Sequence, residues 1–349
     1  MRTIAIFQTD LKVGGIQKSL INMLKSIDLE KYSIDLYLFD EEKFFDEPIL
    51  NKINVIYLKP KNNISKFIPF SFFYKICKYK INKQYDISID YNSYNPSCAL
   101  AAINTNANKH IIWIHNDVVR ERKEDIKYRI LRFFFKSKYK YFNTFVGVSD
   151  GVIEPFKTLN KIKDSSFYVI PNIIDSSEIV KKSKENIDII VDESKYNLIS
   201  VGRLVIQKGF DILIDDIKQV IKKRKDIHLY IVGDGIKGRS LKKKVKKNKL
   251  EDYITFLGSK SNPYKYESRM DGFVIESRYE GQGIVILEAK ILGLDLIIPD
   301  RLNKYLSDVP FTSNVIESII SLKKKNIKNI DMLDDYNNNI IQKLYNLFD

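Results

Sequence analysis

The sequence predicts an α/β protein built from two doubly wound parallel sheets, and three observations carry that expectation. Short apolar runs rich in Ile, Val and Tyr alternate with amphipathic segments along nearly all of the 349 residues. The runs themselves are almost uninterrupted in their apolar character, the pattern of strands covered on both faces. The rhythm halts at a polar, charged stretch over 176–195 and then begins again, which divides the chain into two such sheets.

The elements follow in order. In the first half "TIAIF", "SIDLYLF", "NVIYL", "DISID", "HIIWIH", "TFVGVS" and "FYVIPN" read as strands. After the break, "YNLISVG", "IHLYIVG", "YITFLG", "DGFVIES" and "LDLIIPD" do the same, with amphipathic segments such as "FDILIDDIKQVIKKRK" between them. This organisation places a first domain at 1–175, a linker at 176–195, a second domain at 196–330 and a closing helix at 331–349. Ligands of doubly wound sheets bind at the carboxyl ends of the strands, so the expected site is a cleft between two Rossmann-like domains.

Composition narrows the function. Two cysteines, Cys77 and Cys98, make neither a disulfide framework nor a metal set, and point to a reducing cytoplasm. None of the three histidines pairs with a Cys or His at ligand spacing, so no metal site is expected. Met1–Asp10 reads as a strand rather than a signal peptide, and no apolar run approaches the length of a membrane span. The net charge of +14 is more telling. Between Glu47 and Asp86 eight lysines and no acidic residue surround "FIPFSFFYKICKYK", and a second basic stretch, Arg120 to Lys140, ends in "RILRFFFKSKYKY". Basic residues mixed with Phe and Tyr suit an anionic membrane surface, with a solvated surface over ordinary core aromatics as the plainer alternative. No nucleic-acid fingerprint accompanies them, and nucleic acid is not an expected partner.

Unusual residues gather at strand ends. Gly14 and Gly15, in "VGGIQKSL", precede a helix and would let backbone approach a phosphate. In "SVGRLVIQKGFD", Arg203 and Lys208 offer two cations suited to a diphosphate. "IVGDGIKG" matches a dinucleotide fingerprint through Gly233, Gly235 and Gly238, but it follows the second strand of its domain and lacks an acidic ribose partner. It reads better as a tight turn than as an NAD site. In "IIWIHND", His115 sits just past a strand beside Asn116 and Asp117, where a structural and a functional role weigh about equally.

"YEGQGIVILEAK", 279–290, poses the sharpest question, because eight steps along one helix would leave Glu280 and Glu288 about 80° apart. If Gly281 and Gly283 instead form a loop opening a helix at Ile284, Glu280 precedes the helix and Glu288 falls in its second turn. Both then bracket the helix N-terminus, which favours an anion. Glycine N–H groups would face a phosphate, Glu288 would accept from ribose hydroxyls and Glu280 from a second polyol. Arg, Lys, a helix N-terminus and two carboxylates describe a sugar–diphosphate–ribose ligand.

"VGRLVIQKGFDILI", "LYIVGDG", "ITFLGSKSNPY" and "SRYEGQGIVILEAKILGLDLIIP" resemble, in order and spacing, the donor domain of glycosyltransferase family 4, of the kind that builds bacterial surface polysaccharides. The resemblance is strong over 196–300 and reaches the first domain only through "GGIQKSL" and "WIHND". It implies a retaining, metal-independent hexosyltransferase of the B-type (GT-B) fold, using a nucleotide-diphosphate sugar, UDP-linked, as co-substrate and no other cofactor. It further implies that Arg203 and Lys208 neutralise the diphosphate, Glu280 holds the donor sugar and Glu288 the ribose. Gly14 and Gly15 belong to the loop over the phosphates, and His115 lies near the transferred sugar. Gly258, in "FLGSKSNPY", borders the base, while Gly281, Gln282, Gly283 and Ile284 line the donor. The family often has Phe or Met where this chain has Gln282, which puts local sugar contacts in doubt. The implied acceptor is a saccharide, lipid-linked, in polysaccharide, lipopolysaccharide or teichoic acid assembly at the inner face of the cell membrane. Two rivals remain at this stage: a nucleotide-sugar epimerase or hydrolase of the same fold, and a non-catalytic basic membrane-binding protein.

Overall fold

The computed structural model describes residues 1–12, 14–42, 47–61, 68–124, 129–130, 134, 136–162, 165–325 and 328–349. They divide into two compact units, Met1–Ile173 with Asp335–Asp349, and Ile174–Asp334.

The first unit holds a seven-stranded parallel sheet. Its strands are β1 Arg2–Gln8, β2 Tyr32–Leu38, β3 Asn54–Tyr57, β4 Gln84–Asp90, β5 Asn106–Ile114, β6 Thr144–Gly147 and β7 Ser166–Val169, one for each run expected from the sequence. They lie in the order β3-β2-β1-β4-β5-β6-β7, so the winding direction reverses between β1 and β4. Helices cover the sheet at Gly15–Ser26 (α1), Phe70–Ile76 (α2), Pro96–Asn104 (α3), Val118–Glu124 (α4) and Asp150–Asn160 (α5). Asn95 caps α3 by accepting from the Ser97 amide at 2.8 Å, and Pro96 at its first position loses no helical bond.

The second unit holds a five-stranded parallel sheet, β8 Tyr196–Val201, β9 Ile227–Val232, β10 Ile254–Gly258, β11 Gly272–Val274 and β12 Asp295–Ile297, in the order β10-β9-β8-β11-β12. Its helices are Ser176–Ser183 (α6), Phe210–Val220 (α7), Gly238–Lys247 (α8), Tyr264–Glu267 (α9), Ile284–Ile291 (α10) and Val315–Ser321 (α11). Leu198, Ile214, Ile217, Ile227, Leu229, Ile231 and Val274 are fully buried between sheet and helices.

One expected boundary moves, and the expected closing helix packs on the first unit. The stretch 176–195 is not a linker, because α6 opens it and docks on the second unit. Asp175 accepts from the Glu178 amide at 2.9 Å, capping the helix. Asn262 Nδ2 and Ser268 Oγ donate to the Lys182 and Ser183 carbonyls at its other end. Lys260 pairs with Asp188 at 2.9 Å further along. The closing helix, Asp334–Phe348 (α12), returns to the first unit instead of following the second sheet. Leu347 and Phe348 are fully buried there, Tyr345 stacks on Tyr32 at 5.6 Å, and Arg2 donates to the Phe348 carbonyl at 3.0 Å. Burying two apolar side chains contributes several kcal/mol, about 1.5–3 each, which chain proximity to the second sheet does not offset.

The basic stretches of the first unit separate into surface and core. Residues 62–67 of the first stretch, and 125–128, 131–133 and 135 of the second, lie outside the described residues. In α2, Phe70 and Phe73 are buried, whereas Phe72 and Ile76 are about half exposed beside exposed Lys75, Lys78 and Lys80. Lys138 departs from the expected surface role. It is buried, donates to the Ser93 carbonyl and lies 3.9 Å from fully buried Asp90 at the end of β4. Burial raises the Asp90 carboxyl to about 7, with Lys138 opposing that rise.

Candidate active site

The donor-type motifs meet in the second unit because short loops at neighbouring strand ends are clamped together. After β8, Leu204 turns inward, donating its amide to the Asp234 carbonyl at 2.9 Å and accepting from the Lys237 amide at 2.9 Å. The glycines of "GDG" permit that approach. A Cβ on Gly233 would lie 1.9 Å from the Gly202 carbonyl oxygen, and one on Gly235 would lie 2.6 Å from that of Leu204. The fingerprint-like spacing therefore serves backbone packing against the 202–204 loop, in keeping with a tight turn.

A single 3-10 turn, Ile206–Lys208, follows and ends at Gly209 with φ 65°. The Lys208 stem runs over Gly202, where an added Cβ would meet its Cδ at 3.5 Å. Its ammonium donates to both oxygens of Glu280, at 2.7 and 2.8 Å. Further contacts fasten this turn and the start of α7 to the "SRYEG" loop. The Arg278 amide donates to the Gln207 carbonyl at 2.8 Å, and Gln207 Nε2 donates to the Tyr279 carbonyl at 3.2 Å. The Arg278 guanidinium grips Asp211 with two bonds of 2.9 and 2.7 Å. Arg203, by contrast, is exposed and has no ion pair among the described residues.

Gly283, at φ 77°, opens α10. Glu280 thus precedes the helix and Glu288 falls in its second turn, the arrangement that the Gly-x-Gly spacing implied. Both carboxylates are 5% exposed. Tyr264 donates its hydroxyl to Glu288 Oε1 at 2.8 Å. Gln282 is buried at the turn, and Gly258 ends β10 at φ 74° with open space where a Cβ would stand. Behind the loop, Arg301 pairs with buried Glu276 and donates to the Ser277 carbonyl at 2.9 Å. Asp216 is pushed up to about 7, first by burial and then by the charge of Glu276.

The remaining candidate residues lie in the first unit. Gly14 and Gly15 start α1, and the Gly14 carbonyl accepts from the Lys18 amide at 3.0 Å. Nothing stands within 4 Å of a Cβ placed on Gly15. His115 is buried just past β5, and its Nε2 bonds the Tyr91 carbonyl at 2.9 Å. A carbonyl only accepts, so Nε2 carries the proton. Burial drives its pKa down to about 3, only partly offset by that bond, and the ring is neutral throughout the physiological range.

Sequence reasoning passed over Tyr264, Gln207, Arg278 and Asp211. Tyr264 stood inside "FLGSKSNPY" and Arg278 inside "SRYEG", yet only the contact across 24 residues from Tyr264 to Glu288 gives the tyrosine a task.

Residues 182–303 match the family described as Glycosyl transferases group 1. The chain is also 24% identical over 308 residues to the N-acetylgalactosamine-N,N'-diacetylbacillosaminyl-diphospho-undecaprenol 4-alpha-N-acetylgalactosaminyltransferase of Campylobacter jejuni, a match spanning 86% of this chain and 81% of that one. The 182–303 segment is that of a group 1 glycosyltransferase. An uncharacterised glycosyltransferase of Methanocaldococcus jannaschii is 29% identical over 204 residues, 56% of this chain and 49%, about half, of the relative. The crystal structure of Anabaena HepE in complex with UDP and glucose shares the fold, with TM-score 0.64 at 15% identity over 99% of each chain. That is the GT-B fold, two parallel-sheet α/β domains. The matched segment of this glycosyltransferase contains Arg203, Lys208, Glu280, Glu288 and Tyr264, but neither α1 nor His115.

Proposed function

We propose that this glycosyltransferase moves a sugar from a UDP-sugar to a saccharide carried on a lipid diphosphate, with retention of anomeric configuration and without a metal ion. The observation that carries this reading is the Lys208–Glu280 pair beside the α10 N-terminus, with exposed Arg203 on the preceding loop. HepE, with UDP and glucose, supports the nucleotide, and the Campylobacter enzyme, named for an undecaprenol-linked substrate, supports the acceptor class.

In this reading Arg203 and Lys208 neutralise the diphosphate as its bond to the anomeric carbon breaks, and the positive end of α10 adds to them. Glu280 accepts from sugar hydroxyls while holding the Lys208 ammonium in place. The acceptor oxygen attacks the face that the diphosphate leaves, and its proton passes to the departing phosphate oxygen. Glu288, oriented by Tyr264, accepts from the ribose. Among the described residues no helix is long and apolar enough to cross a membrane. Exposed Phe72 and Ile76 among Lys75, Lys78 and Lys80 support peripheral attachment to an anionic membrane face.

A thermal-shift screen of UDP-glucose, UDP-galactose and UDP-N-acetylglucosamine tests the donor. A donor at a hundred times its Kd stabilises by about 2.7 kcal/mol. The shift and the turnover persist in EDTA, and the product has the anomeric configuration of the donor by NMR. Activity that vanishes with chelator and returns with manganese contradicts the cation-pair mechanism. An inverted product contradicts same-face transfer.

The ribose assignment has its own test. By calorimetry with UDP, Glu288→Ala weakens binding by about 1–3 kcal/mol and Tyr264→Phe by about 1 kcal/mol. Unchanged UDP affinity in Glu288→Ala moves the ribose elsewhere.

A further inference from the structure

Helix α8 opens at the turn that clamps the 202–204 loop and carries six cations in ten residues. Its sequence, "GRSLKKKVKK", includes no acidic side chain. Leu241 and Val245 turn inward and are buried. Lys244 is spent on the neighbouring helix, donating to Asp215 at 2.5 Å and to the Asp211 carbonyl at 2.7 Å. That leaves Arg239, Lys242, Lys243 and Lys246 at i, i+3, i+4 and i+7, one face of the helix. All four are exposed, and none is ion-paired among the described residues. With Asp234 and Gly238 they line an open hollow of about 450 Å³. Lys242 Nζ stands 5.8 Å from the centre of the Phe256 ring, so the face borders the edge strand β10. Exposed Lys247 and Lys249 extend it.

Like charges at these spacings repel, and among the described residues no ion pair relieves them. The arrangement favours folding only weakly and complements a partner rich in phosphate. One further side chain selects among such partners. Ile236, two residues before the helix, is 87% exposed. An aliphatic side chain in water beside a cation row gains nothing from a soluble polyanion. It gains burial at the boundary between headgroups and acyl chains.

The geometry points to a second membrane contact, on the second unit, in which Arg239, Lys242, Lys243 and Lys246 bind the headgroup phosphates of an anionic bilayer while Ile236 enters its interface. This contact stands on α8 alone and needs neither the lipid-linked acceptor nor the basic surface of the first unit.

Flotation of the full chain with phosphatidylglycerol–phosphatidylcholine vesicles tests it. Lys242→Glu/Lys243→Glu/Lys246→Glu lowers the vesicle partition coefficient on the order of a hundredfold, since each cation near an anionic bilayer contributes a several-fold factor. The thermal midpoint and the UDP-induced shift stay at wild-type values, which separates lost binding from lost folding. Equal flotation of this variant overturns the proposal. Parallel flotation of Lys75→Glu/Lys78→Glu/Lys80→Glu reports the first-unit surface by itself, so either contact can fail without the other. Ile236→Ser is released from the same vesicles at lower salt than wild type and binds soluble polyphosphate no differently. If Ile236→Ser floats like wild type at every salt concentration, the face is a polyanion site rather than a bilayer contact, and the membrane assignment falls.

Discussion

Lys208→Ala lowers turnover by at least about a hundredfold, the scale of a removed preorganised cation or donor. The loss has two sources. In the proposed mechanism Lys208 neutralises leaving-group charge, and it also pairs with Glu280, whose side chain is only 6% exposed. Removing either partner of a buried pair leaves the other charge uncompensated, at about 3–5 kcal/mol when burial is complete and somewhat less here. Glu280→Gln therefore cuts turnover as well, but leaves UDP affinity close to wild type, since the proposed ribose partner is Glu288. Arg203→Ala matches Lys208→Ala in turnover, yet without a loss of folding stability, since Arg203 is exposed and has no ion pair among the described residues. The combined Lys208→Ala/Glu280→Gln variant loses less than the sum of the two single changes, as expected of groups acting as one unit. Initial rates, UDP calorimetry and urea unfolding on the four variants measure this. Additive losses, or equal effects of Lys208→Ala and Glu280→Gln on UDP affinity, break the coupling.

Gly209→Ala is expected to destabilise the second unit by about 3 kcal/mol or more and to abolish turnover with it. Gly209 has φ 65°, where side chains are disfavoured, and an added Cβ would lie 1.8 Å from the Glu276 carbonyl oxygen. That oxygen is fixed main chain, held from behind by the Arg301 pair to Glu276. The overlap is relieved only by moving the turn that carries Lys208 away from the loop that carries Glu280. Gly15→Ala is the control, because its Cβ meets nothing within 4 Å; its unfolding midpoint stays at the wild-type value. A Gly209→Ala midpoint in urea equal to that of the wild type would falsify the packing account.

Much of the fold was legible because it is local. Each of the twelve strands lies on an apolar run that the sequence displays, since a strand buried on both faces writes its environment into consecutive residues. The placement of Glu280 before α10 and Glu288 within it was legible for the same reason. Gly283 announces a left-handed turn, and a helix started there puts the second carboxylate one turn deeper. Charge signs, the Arg–Lys loop and the Gly-rich turn could likewise be read along the chain.

Tertiary structure alone decided the partners. Lys208 and Glu280 are 72 residues apart, and nothing in either motif says that the cation and the carboxylate saturate each other. The task of Tyr264 depends on how α9 lies against α10. Lys138, which composition places on a basic surface, is buried because β4 brings Asp90 within 3.9 Å of it. The last helix returns to the first unit because Tyr32 and Arg2 offer it a better apolar and polar fit, a choice invisible to periodicity. Sequence by itself determined which segments are strands, where glycine is required and which charges are present. Packing determined which charges are buried, paired or free, because desolvation and Coulomb energy depend on three-dimensional distance and not on separation along the chain.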